Sequence, residues 1–141
     1  MRITIKRVDP KNMRVAQDIR RLQKMCLPGD RPYDMRKGTW WLAYQDKTAI
    51  AFAAMAHSAQ WVSTGYLCRA GVMRLFRGKG LQKRLISVRE RYARCVGYTH
   101  LITDTRDNPA SSNSLIARGF KIYQPTKPWG WSNAIYWIKK L

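Results

Sequence analysis

A glycine-rich turn between a short apolar strand and a helix constrains this sequence most, and it lies within residues 71–96. Gly78 and Gly80 let the backbone approach a phosphate closely, and Arg77 and Lys79 add positive charge. The first N–H groups of a helix have no partner inside it, and the helix dipole makes that end partially positive. The stretch therefore predicts a phosphate-binding turn. The helix after it has apolar side chains at helical spacing, namely Leu81, Leu85, Val88, Tyr92 and Val96.

The spacing of the glycines excludes two common nucleotide-binding loops. A P-loop continues with Ser or Thr after its Gly-Lys pair, but Gly80 follows Lys79 here. A dinucleotide-binding turn has a third glycine three residues after the second, and Lys83 occupies that position. The phosphate must therefore belong to another class of ligand.

The turn resembles the acyl-coenzyme A loop of the GNAT-type N-acetyltransferase superfamily, which is written Arg/Gln-x-x-Gly-x-Gly/Ala. Arg77 stands at the first position of that motif and Gly80 at the fourth. The sixth position is Gln82, where the family has Gly or Ala. The resemblance implies that this turn binds the pyrophosphate of the coenzyme.

A second segment resembles the same family and follows the first in the expected order. Residues 108–111 read Asn-Pro-Ala-Ser, and the helix that they open ends at Gly119-Phe120. Taken alone, Asn108 is a helix N-cap, with Pro109 at the first helical position and Gly119 as the C-terminal stop. The family uses a capped helix at this place, so both interpretations hold together.

The resemblance covers the chain from end to end and implies a single N-acetyltransferase domain over residues 1–141. The implied fold is α/β, with a mixed and mostly antiparallel central sheet flanked by helices. The residue patterns predict the same order: strand, helix, three antiparallel strands, helix, strand, helix and two strands. The first helix is predicted to start with Asp9 as its cap and Pro10 at its first position. The strand before the glycine-rich turn is predicted over residues 66–72.

The family resemblance implies acetyl-coenzyme A as the co-substrate. Its pyrophosphate would lie at the turn, and its pantetheine arm along the strand that precedes the turn. The residues predicted to contact it are Ala70, Gly71, Val72, Arg77, Gly78, Lys79, Gly80, Leu81, Gln82, Asn108 and Ser111.

This chain departs from the family where the acid that protonates the leaving thiolate is often found. That acid is a Tyr four residues before the Gly of Gly-Phe, and the residue here is Leu115. Ser111, Ser114, Tyr123 or a bound water would have to replace it. Unassisted departure is the alternative, since a thiol with a pKa of about 8.5 is a tolerable leaving group at neutral pH.

The general base is also missing from its usual place. Some members carry a glutamate on the strand before the turn, but residues 66–72 contain no carboxylate. His57 is the first candidate, because an imidazole titrates in the physiological range and can act through water. Asp104 is the second, although hydrogen bonding to the following turn would also explain it. The predicted catalytic set is therefore His57, Asn108 and Tyr123.

The chain carries 27 Lys and Arg residues against 8 Asp and Glu, a formal net charge of +19. Cationic acceptors such as aminoglycosides and polyamines are disfavoured by this charge, whereas an amine on a protein or on a nucleic acid is favoured. The basic helices are also a candidate surface for nucleic acid or for an acidic protein. The alternative to an enzyme is a catalytically weak module of this fold that binds nucleic acid or another anionic partner.

The cysteines and the hydropathy of the chain bear on disulfides, metal sites and membrane spans. Cys26, Cys68 and Cys95 are odd in number and form no Cys-x-x-Cys pair, so neither a disulfide framework nor a metal site is predicted. No apolar stretch has the length of a signal peptide or a membrane span. We expect a cytoplasmic protein without membrane association, present as a monomer or a homodimer.

Overall fold

A mixed seven-stranded sheet with helices on both faces forms the architecture of the computed structural model, which describes residues 2–141. The strands are β1 (Ile3–Val8), β2 (Thr39–Gln45), β3 (Thr48–His57), β4 (Thr64–Val72), β5 (His100–Thr105), β6 (Lys121–Tyr123) and β7 (Ile135–Lys140). The helices are α1 (Met13–Cys26), α2 (Leu81–Cys95) and α3 (Pro109–Ala117). Single 3₁₀ turns lie at Met35–Lys37 and Arg74–Phe76.

The strands are ordered β1-β2-β3-β4-β5-β7-β6 across the sheet. Every neighbouring pair is antiparallel except β4 and β5, which run parallel. The predicted order of elements and the predicted α/β class with a mostly antiparallel sheet are therefore confirmed.

The central strand β3 is covered on both faces. All of its residues are buried except the first and the last. Alternate side chains belong to different clusters: Phe52 packs with Ile19 and Leu22 of α1, whereas Ala53 packs with Leu85 of α2. Successive side chains of a strand point to opposite faces, so α1 lies on one face of the sheet and α2 on the other.

The first helix begins later than predicted. Asn12, not Asp9, is its N-cap: Asn12 Oδ1 accepts hydrogen bonds from the backbone N–H groups of Arg14 (3.0 Å) and Val15 (3.1 Å). Asp9 instead closes the preceding turn, where its side chain accepts a hydrogen bond from the N–H of Lys11 at 2.9 Å. Asp9 and Asn12 are both residue types that cap helices, and Asn12 has its side-chain carbonyl at the right place relative to the first helical turn.

The one acidic residue of α2 is structural. Glu90 is 1% exposed, and Lys139 Nζ lies 3.1 and 3.0 Å from its two carboxylate oxygens. Arg118 Nη2 lies 3.4 Å from the same carboxylate, and Arg94 lies at 3.7 Å. Glu90 therefore links α2 to the end of α3 and to β7, and it leaves the exposed face of α2 without a negative charge.

Within residues 2–141, no helix has the length and apolar character that crossing a membrane requires.

Candidate active site

A cleft opens in the sheet because β4 and β5 pair over only three positions, where Thr64–Tyr66 face His100–Ile102. Beyond Tyr66 the register of β4 with β3 slips, so that Leu67 and Cys68 together lie opposite Met55. Such a bulge bends the strand that carries the extra residue. β4 and β5 diverge from this point, and the cleft between them has a volume of about 520 Å³.

The lining of the cleft comes from both helical layers. Gln82 and Ile86 of α2 and Ser111 and Leu115 of α3 contribute from one face of the sheet. The segment after α1, residues 27–31, contributes from the other. The cleft therefore gives a ligand access to β4 between the two layers.

A buried arginine supports the bulge. Arg89 of α2 is 3% exposed, and its Nη1 donates to the Ala54 carbonyl at 3.1 Å while its Nε donates to the Leu85 carbonyl at 3.0 Å. Burial lowers the pKa of Arg89 to about 10, so the side chain is still cationic at neutral pH. No carboxylate of residues 2–141 forms an ion pair with it. Arg89 thus adds an unpaired positive charge to the wall of the cleft.

The glycine-rich turn has the backbone conformation that its sequence predicts. Gly78 and Gly80 have φ values of +76° and +78°, in the left-handed region where a side chain is strained. A Cβ atom at either position would meet nothing within 4 Å, so the space in front of the backbone is open. Gly80 is the N-cap of α2 and supplies no side-chain partner to the first N–H groups of the helix. Arg77 folds back, and its Nε donates to the Val72 carbonyl at 3.0 Å.

Gly71, at the end of β4, is required for another reason. A Cβ atom there would lie 2.5 Å from Cys26 Cβ and 2.7 Å from a ring carbon of Phe52. The close packing of α1 against β4 therefore excludes any side chain, and only the backbone of Gly71 is available to a ligand.

The second motif shapes the opposite wall. Asn108 Oδ1 accepts a hydrogen bond from the N–H of Ser111 at 3.1 Å and caps α3, with Pro109 at the first helical position. Asn108, Ser111 and Ser114 all line the cleft. Leu115, where the resembling family often has a tyrosine, is 5% exposed and presents an apolar surface to it.

A carboxylate and a phenol meet in the lining of the cleft. The Tyr66 hydroxyl donates to Asp104 Oδ1 at 2.9 Å, and the indole N–H of Trp129 donates to the same oxygen at 3.0 Å. Asp104 Oδ2 accepts no hydrogen bond from the described residues, and no base pairs with this carboxylate. Burial, followed by the charge of Asp104, raises the pKa of Tyr66 far above its ordinary value, so the phenol stays protonated.

The structure brings some of the predicted residues into the cleft, which is lined by Ala70, Gln82, Asn108 and Ser111. The others predicted to contact the coenzyme lie beside it, on the last residues of β4, on the turn or at the start of α2: Gly71, Val72, Arg77, Gly78, Lys79, Gly80 and Leu81.

Two predicted catalytic residues lie outside the cleft lining. His57 ends β3 beside a separate hollow, where its Nδ1 is 3.3 Å from the Tyr98 hydroxyl. The ring of Tyr123 packs 6.1 Å from that of Trp61 and 6.5 Å from that of Tyr136. Its hydroxyl is buried without a hydrogen-bond partner among residues 2–141, and burial raises its pKa.

Sequence reasoning missed several polar residues of the cleft, namely Tyr66, Arg69, Arg89 and Trp131, and also Trp129, which donates to the cleft residue Asp104. Tyr66 and Arg69 were visible as the polar side chains of an otherwise apolar strand. Nothing local in the sequence marks Arg89, which lies on a basic helix whose other bases are mostly exposed.

Residues 13–120 match the family described as Acetyltransferase (GNAT) family. No curated protein matches the sequence. Among solved structures, the chain is similar to the NatC complex bound to Gag peptide and CoA, with a TM-score of 0.80, 18% identity, and coverage of 100% of this chain and 99% of that one. It is similar to the PaiA N-acetyltransferase from Thermoplasma acidophilum in complex with coenzyme A, with a TM-score of 0.71, 16% identity and full coverage of both chains. The ribosomal-protein-S18-alanine N-acetyltransferase from Escherichia coli has a TM-score of 0.71 at 16% identity, over 99% of this chain and 94% of that chain. These likenesses confirm the predicted fold.

Cys68, which lines the cleft, is expected to be a poor nucleophile. Burial raises its pKa to about 11, although the charges of Arg89 and Arg69 act in the opposite direction. Only about a thousandth of such a thiol is thiolate at pH 8, and the thiolate is the reactive form. We predict that iodoacetamide alkylates exposed Cys95 at least about 100-fold faster than Cys68 at pH 8.

The reaction rate of Cys68 should continue to rise with pH up to about 11, because the raised pKa moves ionisation to that range. Peptide mapping by mass spectrometry measures both rates, and Cys95→Ser serves as the control for peptide assignment. Comparable alkylation of Cys68 and Cys95 in the folded protein at pH 8 would contradict this account.

Proposed function

We propose that this chain, which belongs to the acetyltransferase (GNAT) family, transfers an acetyl group from acetyl-coenzyme A to a primary amine of a protein. Family membership makes it an acyl-coenzyme A-dependent N-acetyltransferase. The observation that carries the finer proposal is the cleft between β4 and β5. It has a coenzyme-type turn beside one wall, and its lining includes the carboxylate of Asp104, which forms no ion pair among the described residues.

The residues around the turn fit the coenzyme. The open N-terminus of α2 offers unpartnered N–H groups to a pyrophosphate, and Arg77 and Lys79 are exposed beside it. Asn108, Ser111 and Ser114 place polar groups along the cleft, where a pantetheine arm has amides to be satisfied. The diverging edge of β4 offers backbone groups that β5 does not pair.

Acetyl-coenzyme A supplies the acetyl group as a thioester. The acceptor amine must be neutral when its nitrogen forms the bond to the carbonyl carbon, so a group in the cleft must take its proton. Tyr66 and Asp104 suit this role, because the Tyr66 oxygen can accept a proton while its own hydroxyl proton passes to Asp104 Oδ1, 2.9 Å away. The position of His57 outside the cleft disfavours it as the base.

Arg89 supports the same chemistry electrostatically. Negative charge develops on the carbonyl oxygen and then on the departing sulfur, and a fixed cation near such charge lowers the barrier more in a water-poor site than in water. Arg89 is anchored by two backbone carbonyls, so it needs no reorganisation when that charge appears. In this chain Leu115 stands where the family often has a tyrosine that protonates the departing thiolate. The charge of Arg89 and the hydroxyls of Ser111 and Ser114 take over the stabilisation of the thiolate.

A protein amine is the favoured acceptor for two reasons. The net charge of +19 repels small polycations, whereas a protein substrate is free to present acidic groups. The chain also shares its fold with two proteins whose names state a protein or peptide ligand: a ribosomal-protein-S18-alanine N-acetyltransferase and a NatC complex bound to Gag peptide. The fold likeness does not itself transfer their substrates.

Acetyl-coenzyme A is expected to raise the melting temperature by binding only the folded state. At a concentration 100 times the Kd the gain is about 2.7 kcal/mol. Gly80→Glu should abolish the shift, because it places a side chain and a negative charge against the pyrophosphate.

The matched control is Gly97→Glu, since Gly97 has a φ of +88° and equally open space at the other end of α2. Differential scanning fluorimetry with and without coenzyme measures both variants. A full shift in Gly80→Glu would remove the pyrophosphate from this turn.

Asp104→Asn is expected to lower kcat by about 10²-fold or more, because general-base catalysis contributes roughly 10² to 10⁴. Tyr66→Phe should also lower kcat, because the Tyr66 hydroxyl connects the acceptor amine to the Asp104 carboxylate. His57→Gln is the comparison and should retain the parent rate. Steady-state assays of coenzyme release test the set, and loss of turnover in His57→Gln alone would return the base to His57.

A second candidate function, binding of a nucleic acid, is favoured by the exposed face of α2. Lys83, Arg84, Arg91 and Arg94 lie on one stripe of that helix, and its single acid is buried. Only Arg94 of the four pairs with a carboxylate among the described residues. Such a stripe suits a phosphate backbone, and neutralising it releases counterions.

We predict that RNA binds this surface at low salt and that affinity falls by orders of magnitude between about 50 and 200 mM salt for six to ten phosphate contacts. Reversing Lys83, Arg84 and Arg91 to Glu should flatten the salt dependence while the coenzyme-induced shift survives. Fluorescence anisotropy over a salt series measures the slope. Weak binding that does not vary with salt would exclude this function for α2.

A further inference from the structure

We infer that the acceptor of this site is a peptide with an acidic side chain close to its amino terminus, and that Arg69 binds the carboxylate. The inference rests on the proposed function, since it names the chemistry of the amine-bearing partner. Arg69 lies on β4, directly after the bulge, and lines the cleft.

Arg69 is held in place by groups that leave its charge intact. Its Nη1 donates to the Cys68 carbonyl at 2.8 Å, and its Nη2 lies 3.5 Å from the Arg31 carbonyl. Its guanidinium carbon lies 5.5 Å from the centre of the Tyr33 ring. Carbonyls and an aromatic face orient a guanidinium without neutralising it. A receptor that is already ordered pays less conformational entropy when a ligand binds.

The charge of Arg69 is unmatched within the described residues. No carboxylate of residues 2–141 forms an ion pair with it, and Asp34 pairs with Arg36 at 3.0 Å. Asp30 lines the same cleft but makes no ion pair there. Arg69 Nε is buried and has no hydrogen-bond partner among residues 2–141. A half-buried guanidinium that has no counterion suits a carboxylate that arrives with the ligand.

The distance from Arg69 to the proposed base fixes where that carboxylate sits on the acceptor. Tyr66 and Arg69 are three residues apart on one strand, so at about 3.3 Å per residue their backbones are at most about 10 Å apart. An extended peptide covers that distance in about three residues. With the amine at the Tyr66–Asp104 pair, the carboxylate belongs to the second or third residue of the acceptor.

The other charged residues that line the cleft favour the same class of acceptor. Arg31 and Arg106 also line the cleft, and the Arg106 guanidinium lies 4.7 Å from the centre of the Trp131 ring. Among residues 2–141, the acids that line the cleft are Asp30 and Asp104. The electrostatic field in the cleft is therefore positive and attracts an acidic peptide, while Asp104 binds the ammonium group at the amino terminus of that peptide.

The test uses the full chain, acetyl-coenzyme A and three peptides with amidated C-termini. The peptides share one sequence that begins with Ala and differ only in having Glu, Gln or Lys at the second and third positions. We expect kcat/KM to be at least tenfold higher for the Glu peptide than for the Gln peptide, mostly through KM, and lowest for the Lys peptide. Equal values for the Glu and Gln peptides would overturn the inference and leave the proposed activity standing.

Variants assign the preference to Arg69 rather than to the net charge. Arg69→Gln should bring the ratio of Glu to Gln peptide close to one, and Arg69→Glu should favour the Lys peptide. The matched control is Arg20→Gln, which removes the same charge from an exposed position of α1 outside the cleft lining and should keep the preference. A preference that persists in Arg69→Gln would overturn the assignment.

The inference stays testable if Arg69→Gln fails to fold. Arg69→Lys keeps the charge and should keep a weaker preference of the same sign, and the coenzyme-induced thermal shift reports folding of each variant. If the parent protein shows that shift but acetylates none of the three peptides, the proposed peptide acceptor fails, and this inference fails with it.

Discussion

Backbone pairing between β4 and β5 stops after three positions, and the backbone groups released there have to be satisfied in another way. A buried carbonyl without a partner costs about 1–3 kcal/mol, so an unsupported gap in the sheet would be costly. At this gap, side chains donate to two carbonyls of β4: Thr103 to the Leu67 carbonyl at 2.8 Å and Arg69 to the Cys68 carbonyl. At the neighbouring bulge between β3 and β4, Arg89 donates to the Ala54 carbonyl of β3. Two of these three donors are arginines. The gap therefore creates the cleft and also brings positive charge into it.

This arrangement connects the stability of the fold with its chemistry. Arginines that hydrogen-bond to carbonyls hold the bulge in place and stay cationic, whereas arginines paired with acids would add little net charge to the cleft. The acids of the chain are used elsewhere, as in Glu90, which is enclosed by Lys139 and Arg118. In the cleft lining, Asp104 is half-buried and bonded to two neutral donors, whereas Asp30 is exposed. A half-buried carboxylate among several unpaired arginines suits an acceptor that has an amine and a nearby acid.

The exposed charge has a different consequence. Most of the 27 basic side chains are exposed, and few of them pair with acids among the described residues. Exposed ion pairs contribute little to stability, so their scarcity costs the fold little. It leaves a strong positive field, which would attract the proposed acidic peptide at the cleft and the proposed polyanion at α2 by the same long-range effect. Local geometry, at Arg69 or along the α2 stripe, then decides which partner is held.

The sequence by itself determined the features that depend on residues close together in the chain. The order of the elements follows from hydropathy periods, the left-handed turn from Gly78 and Gly80, and the start of α3 from Asn108 and Pro109, because each of these signals acts over one helical turn or less. Even so, the prediction of Asp9 as the cap of α1 was wrong, because Asn12, three residues later, offers nearly the same local chemistry and caps the helix.

Only the tertiary structure decided what the cleft contains. Asp104 meets Tyr66 across 38 positions of sequence and Trp129 across 25, and His57 and Tyr123 lie elsewhere although their residue types suit catalysis. A bulge that adds one residue to β4 sets which strand edges part and which side chains line the cleft. That register depends on how three strands and two helical layers pack together, and no local pattern of residues encodes it.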